Sequence, residues 1–207
     1  MAMKKQILLT MGLTALLASA TQASQEQLAK SIQDVHLETM RTTEQLKATL
    51  GALNELTAQK KGDLRPAYNA FCAEIPKTEA ASSNTRTRVQ WMAGDGQKYF
   101  QDWQKTIHSI SNESMRKTAQ KRMDSVKKSY DKVEASLVQA AEKFRPFLTD
   151  LTDIQKFLAA DVTAGGVKAI KSTVSSANWN LQYVDKAAKA ALKEMDKMQK
   201  ALSSEAK

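Results

Sequence analysis

Two histidines, His36 and His108, and one cysteine, Cys72, are the side chains of this 207-residue chain best suited to ligate a metal or to act as nucleophile or base. Their spacing supports neither role. The histidines are far apart, no helical His pair occurs, and there is no second cysteine. Asp102 and Glu113 flank His108 at separations that do not converge on it, so the expected setting is a surface or interface histidine. No base is signalled near Cys72, and the carboxylates are spread as on a solvated helix face. Gly165-Gly166 lacks the preceding strand and the Lys-Ser/Thr pair of a phosphate loop. Helical bundles that do catalysis usually carry paired Glu and His ligands, and these are missing. The expectation is no enzyme, no metal and no cofactor.

Two other features stand out, and each has two readings. Arg116, Lys117, Lys121, Arg122, Lys127, Lys128 and Lys132 crowd one stretch, with Asp124 and Asp131 against them. This is either a patch for anionic partners, such as lipid headgroups, lipopolysaccharide or an acidic protein surface, or a solvated face paired with acids of a neighbouring helix. Trp179 and Tyr183 lie four apart and share a helix face. They form either a contact patch for a partner or second subunit, or lateral packing inside a bundle.

The elements that must position these residues are long helices. Ala119, Met123, Val126, Tyr130, Val133, Leu137, Ala140, Phe144, Phe147, Leu151, Ile154 and Leu158 recur in alternating steps of four and three, the seam of a coiled-coil helix. Ser111-Asn112-Glu113 caps this helix, and Pro146 kinks it without ending it, because the large apolar side chains around it outweigh one lost bond. An earlier helix runs from about Ser24 to Gln59, with a Thr-rich seam centre at Thr39, Thr42 and Thr49. Gly62 suits the left-handed position after it and Asp63 the cap of the next. That second helix is expected to break or kink sharply at Ile75-Pro76, then resume with Val89, Met92, Tyr99, Trp103, Ile107 and Ile110 on one face. After a turn at Asp161–Gly166, a last helix carries the seam Val167 to Leu202, and the C-terminal tail frays. The fold class is all-α: an elongated antiparallel bundle or coiled coil of about four long helices, closed within one chain or across a dimer.

The N-terminus reads as an address. Lys4 and Lys5 precede an apolar run from Ile7 to Ala18, and Ala18-Ser19-Ala20 is a small-residue cleavage pattern, so residues 1–20 are expected to form a secretory signal peptide, cleaved after Ala20 with Ala23 as the alternative point, and 21–207 a single mature domain. The short, simple signal implies the bacterial periplasm, with no lipid-attachment cysteine and no transmembrane span in the mature chain. Removing Lys4 and Lys5 lowers the formal charge from +9 to +7. Export makes nucleic acid an improbable partner. Cys72 cannot form an internal disulfide, and burial is its expected fate.

With these segments placed, the chain resembles an uncharacterised bacterial family catalogued as domain of unknown function 2959, envelope coiled-coil proteins of which many are lipoproteins. The residues that carry the likeness are Gly62-Asp63-Leu64 with Tyr68, Phe100 with Asp102-Trp103, Ser111-Asn112 with Met115-Arg116, Tyr130, Pro146, and Phe157-Leu158 through Asp161 to Ala164. The order and spacing carry it over about Ser24 to Met198. Ala159-Ala160 stands where the family often holds a Lys-His pair, and Pro76 is additional. The resemblance implies helical architecture and an envelope location.

The functional expectation is a non-enzymatic periplasmic coiled-coil protein that scaffolds or binds another envelope protein or itself as a homo-oligomer. The alternatives are a holdase-type chaperone, with Met123, Met195 and Met198 supplying adaptable contacts, or a binder of anionic envelope surface.

Overall fold

The computed structural model describes residues 2–59 and 61–203, with side chains described from Ser19 onward. The leader residues Lys4, Lys5 and Ile7–Ala18 therefore have their side chains outside the description, and so do Lys60 and the tail 204–207. The elements are α1 (Ala2–Ala58), α2 (Arg65–Ser109), α3 (Glu113–Ala160), α4 (Ala164–Ala169) and α5 (Lys171–Ser203), with no strand among the described residues. The all-α bundle expected from the seams is the fold.

Contacts gather into two compact units. The first draws on residues 1–35, 88–133 and 194–207, the second on 36–87 and 134–193. The first unit buries Leu28, Ile32, Val35, Met92, Tyr99, Ile107, Val126, Tyr130 and Val133, with Met123, Met195 and Met198 in the same core. The methionines singled out for adaptable contacts are thus interior residues. Here α2 runs antiparallel to its neighbours. Thr21 bonds Thr106 at 2.8 Å and Asp34 pairs with Arg88 at 3.5 Å, while on the other side Met92 accepts from Tyr130 at 3.2 Å and Gln104 donates to Gln120 at 3.2 Å.

The second unit is centred on Leu46, Leu50, Leu53, Phe71, Ile75, Phe147, Leu151, Ile154, Leu158 and Ile170. Its α1–α2 seam is held by hydroxyl rungs: Thr42 to Thr85 at 2.8 Å and Thr49 to Thr78 at 2.7 Å. Thr39 is buried too, and its hydroxyl has no hydrogen-bond partner among the described residues. On the opposite flank α1 meets α5 antiparallel, with Lys47 3.6 Å from Asp185 and Asn54 bonded to Asn178.

The helix boundaries follow local chemistry. Gly62, four residues past the end of α1, has φ of 94°, a left-handed turn in the linker that leads into α2. Asp63 Oδ1 accepts from the Arg65 N–H at 3.0 Å, and Asn112 Oδ1 from the Met115 N–H at 3.0 Å, capping α2 and α3. Pro146 lies inside an unbroken α3, as its apolar surroundings require.

Three expectations are corrected. The first helix does not start near Ser24; that residue sits inside α1, its hydroxyl donating to the Ala20 and Thr21 carbonyls at 3.0 Å. Of the break or sharp kink expected at Ile75-Pro76, the break does not occur, since α2 runs through Pro76. The seam there is Phe71, Ile75 and Thr78, all buried, and Thr78 is tied to Thr49. Pro76 itself faces solvent, so its missing N–H burdens only the outer side of the helix. Finally, Gly165-Gly166 is not in the turn. Thr163 accepts the Gly166 N–H at 3.1 Å and donates to Asp161 at 2.6 Å, so α4 begins at Ala164. The expected last helix is α4 plus α5, divided at Ile170, whose ψ of 2° leaves helical geometry for one residue.

Candidate functional site

The residues with catalytic potential are not assembled. His108 is exposed in the first unit, 3.2 Å from Gln104 Nε2, while His36 belongs to the second. Asp102 is nearly buried and held by Lys98 at 2.7 Å and Lys105 at 3.2 Å; the Lys98 hydrogen bond chiefly keeps its carboxyl below the ordinary range. Glu113 pairs with Lys117 at 2.7 Å. Neither acid turns to the histidine. No group of His, Cys, Asp and Glu able to hold a metal occurs among the described residues.

Cys72 is half-buried against the core of the second unit, less enclosed than expected. Its neighbour Tyr68 donates to the Gln155 carbonyl at 3.1 Å. Burial first, then the hydrogen bond with Cys72, pushes the Tyr68 phenol up to about 12. A phenol that keeps its proton at neutral pH cannot serve as the base that would activate a thiol. A shallow groove of about 190 Å³ in the first unit is lined by Ala20, Ala23, Ser24, Gln27, Asp95 and Lys98. Its polar groups are already engaged: Asp95 accepts from Gln27 and Ser31, and Lys98 binds Asp102. It is smaller than ordinary ligand sites and offers no convergent polar set.

The basic stretch lies on α3 in the first unit. Arg116, Lys117, Lys121, Arg122, Lys127, Lys128 and Lys132 are all exposed. Relative to the buried seam Met123, Val126, Tyr130 and Val133, helix periodicity puts Lys117, Lys121, Lys128 and Lys132 on the side turned away from the core. Arg122 and Lys127 lie on opposite flanks, with Lys127 6.0 Å from the Phe100 ring centre and 2.9 Å from Asp131. The stretch is therefore one outward row with flanking charges. The pairings of Lys117 and Lys127 are to acids of α3 itself, not of a neighbouring helix.

Trp179 and Tyr183 lie on α5 in the second unit and are 61% and 55% exposed, so lateral packing in the bundle does not account for them. The asparagines that flank the indole in sequence explain its direction. Asn178 exchanges amide bonds with Asn54 of α1 at 3.1 and 3.2 Å, and Asn180 donates to Asp150 of α3 at 2.7 Å. The two amides tie α5 to a helix on either side and leave Trp179 on the crest between them. The helix that carries the face is thus tied on both sides, and the two rings stay exposed on the chain.

Sequence reasoning missed Trp91, 57% exposed in the first unit with the Arg88 guanidinium 4.9 Å over its ring. The Arg-x-x-Trp spacing, one position off the seam residue Met92, was the available signal.

Among the described residues no helix is long and apolar enough to cross a membrane. Neither the curated proteins nor the solved structures provide a match to this chain. A family model does match, over residues 18–202, and its description is "Protein of unknown function (DUF2959)". That span takes in both units and every candidate residue named above, and the chain belongs to this family.

Proposed function

We propose that this chain is a non-enzymatic interaction protein of the bacterial envelope that docks a protein partner, another envelope protein or a second copy of itself, on the Trp179–Tyr183 face. The observation that carries the proposal is the exposure of that aromatic pair on a helix clamped by Asn178 and Asn180. Large aromatics fixed in place and left open are the side chains that dominate protein interfaces, because they bring area at little entropic cost. The envelope location rests on the leader-like run from Lys4 to Ala20.

The test is in-cell crosslinking from a photoreactive residue at position 179, followed by mass spectrometry. One dominant envelope protein, or the protein itself, is the expected catch. A broad spread of unfolded clients would replace the scaffold by a chaperone. No adduct from 179 or 183 would remove the proposed face.

A further inference from the structure

We propose that the outward row of α3, Lys117, Lys121, Lys128 and Lys132, is an electrostatic docking face for an anionic membrane surface. This is independent of the aromatic face, which belongs to the other unit.

Helix stability does not explain the row. Arg116 closes the first turn of α3 and Lys117 directly follows it, near the helix end where the dipole disfavours positive charge. Lys117–Lys121 and Lys128–Lys132 are like-charged neighbours four residues apart, which repel. The acids of the stretch do not relieve this. Glu113 is taken by Lys117, Asp131 by Lys127, and Asp124 accepts from Gln120 at 2.9 Å. Among the described residues Lys121, Lys128 and Lys132 have no acidic partner. Between Glu113 and Val133, seven Lys and Arg face three acids, a net +4 of the +7 that remains once Lys4 and Lys5 are removed.

The form of the row selects the partner. It spans about 22 Å along one helix side, facing outward, with no groove around it. Lysine ammoniums on flexible stems suit a flat field of mobile phosphates, rather than the bidentate grip that arginine gives one fixed anion. The apolar side of α3 is committed to the core of its own unit, so the helix cannot insert. Binding is by charge alone and must weaken steeply with salt.

The experiment is sedimentation of the full chain with phosphatidylglycerol–phosphatidylcholine vesicles and with phosphatidylcholine vesicles, at low and high salt. The triple variant Lys121→Gln/Lys128→Gln/Lys132→Gln is compared with a charge-matched control, Lys168→Gln/Lys186→Gln/Lys193→Gln, exposed positions of the other unit. Expected is salt-sensitive binding to the anionic vesicles only, weakened about fivefold per lysine and so about a hundredfold in the triple variant, with the control within a few-fold of the parent. Circular dichroism checks that all variants stay helical. Equal loss in the control would reduce the effect to net charge and overturn the site. So would absence of binding to anionic vesicles, or salt-insensitive binding unchanged in the triple variant. Displacement by short duplex DNA, with the same triple-variant loss, would reassign the row to a nucleic acid.

Discussion

Gly94 and Gly96 are two residues apart in α2, and replacing each by alanine should move stability in opposite directions. Alanine exceeds glycine in helix propensity by about 0.8–1.0 kcal/mol. At Gly94 nothing lies within 4 Å of an added Cβ, so Gly94→Ala should gain about that amount. At Gly96 the same atom would stand 2.6 Å from both Cζ and Oη of Tyr130. That ring cannot swing away freely. Tyr130 is 4% exposed, packs edge-on against Phe100 with centroids 5.7 Å apart, and donates to the Met92 carbonyl at 3.2 Å. Overpacking of this kind costs about 1–3 kcal/mol, and displacing the phenol forfeits a hydrogen bond of about 0.5–1.5 kcal/mol. After subtracting the propensity gain, Gly96→Ala should destabilise by about 0.5–3.5 kcal/mol. Urea unfolding of the full chain, followed by circular dichroism, reads both variants. In a Tyr130→Leu background the cost of Gly96→Ala should largely vanish, giving a coupling of about 1 kcal/mol or more. Equal stabilisation by both alanines, or no coupling to position 130, would refute the close approach of α2 and α3 at this point.

Other expectations follow from the same packing. Pro76→Ala restores a backbone donor on an exposed helix position and should raise the urea midpoint, by up to about 3 kcal/mol in stability; no gain would mean the helix is already broken there. Thr163→Ala removes the cap of α4 and should cost about 1 kcal/mol by the same assay, with Thr163→Ser recovering most of it. Asp102, whose carboxyl Lys98 holds below its ordinary 3.8, contributes stability that is full above that value and lost as pH falls through the depressed one. The acid loss, followed as urea midpoint against pH, should therefore shrink in Asp102→Asn. Asn54→Ala and Asn178→Ala break one reciprocal amide pair, so the double variant should cost less than the sum of the singles.

Much of this was legible in the residues because the seams are local and periodic. Every residue from Ala119 to Leu158 assigned to the α3 seam is buried or half-buried, Asp63 and Asn112 act at the helix starts they signalled, and Gly62 is left-handed, though in the linker and not at the end of α1. What escaped depends on partners distant in sequence. Pro76 stays in helix through contacts of Phe71, Ile75 and Thr78 that no window around the proline displays. The need for Gly96 is visible only once Tyr130 is placed beside it. The outward turn of Trp179 is set by Asn54 and Asp150, residues on two other helices. Spacing did put the basic residues on one helix, but it took the buried seam to separate the outward row from its flanks.

The threonine rungs of the second unit bear on alignment more than on strength. A seam that repeats every seven residues leaves α1 free, as far as apolar contact goes, to slide along α2 by one repeat. Thr42–Thr85 and Thr49–Thr78 remove that freedom. Sliding one way sets Thr49 opposite Phe71, and sliding the other sets Thr42 opposite Met92; each keeps a single rung and strands the other hydroxyl against an apolar side chain. The polar middle of α1, weak as glue, is thus a vernier: it selects one alignment among several that leucines alone would leave nearly equivalent. Replacing both rungs by leucine or valine pairs should yield a chain that melts higher yet populates more than one register.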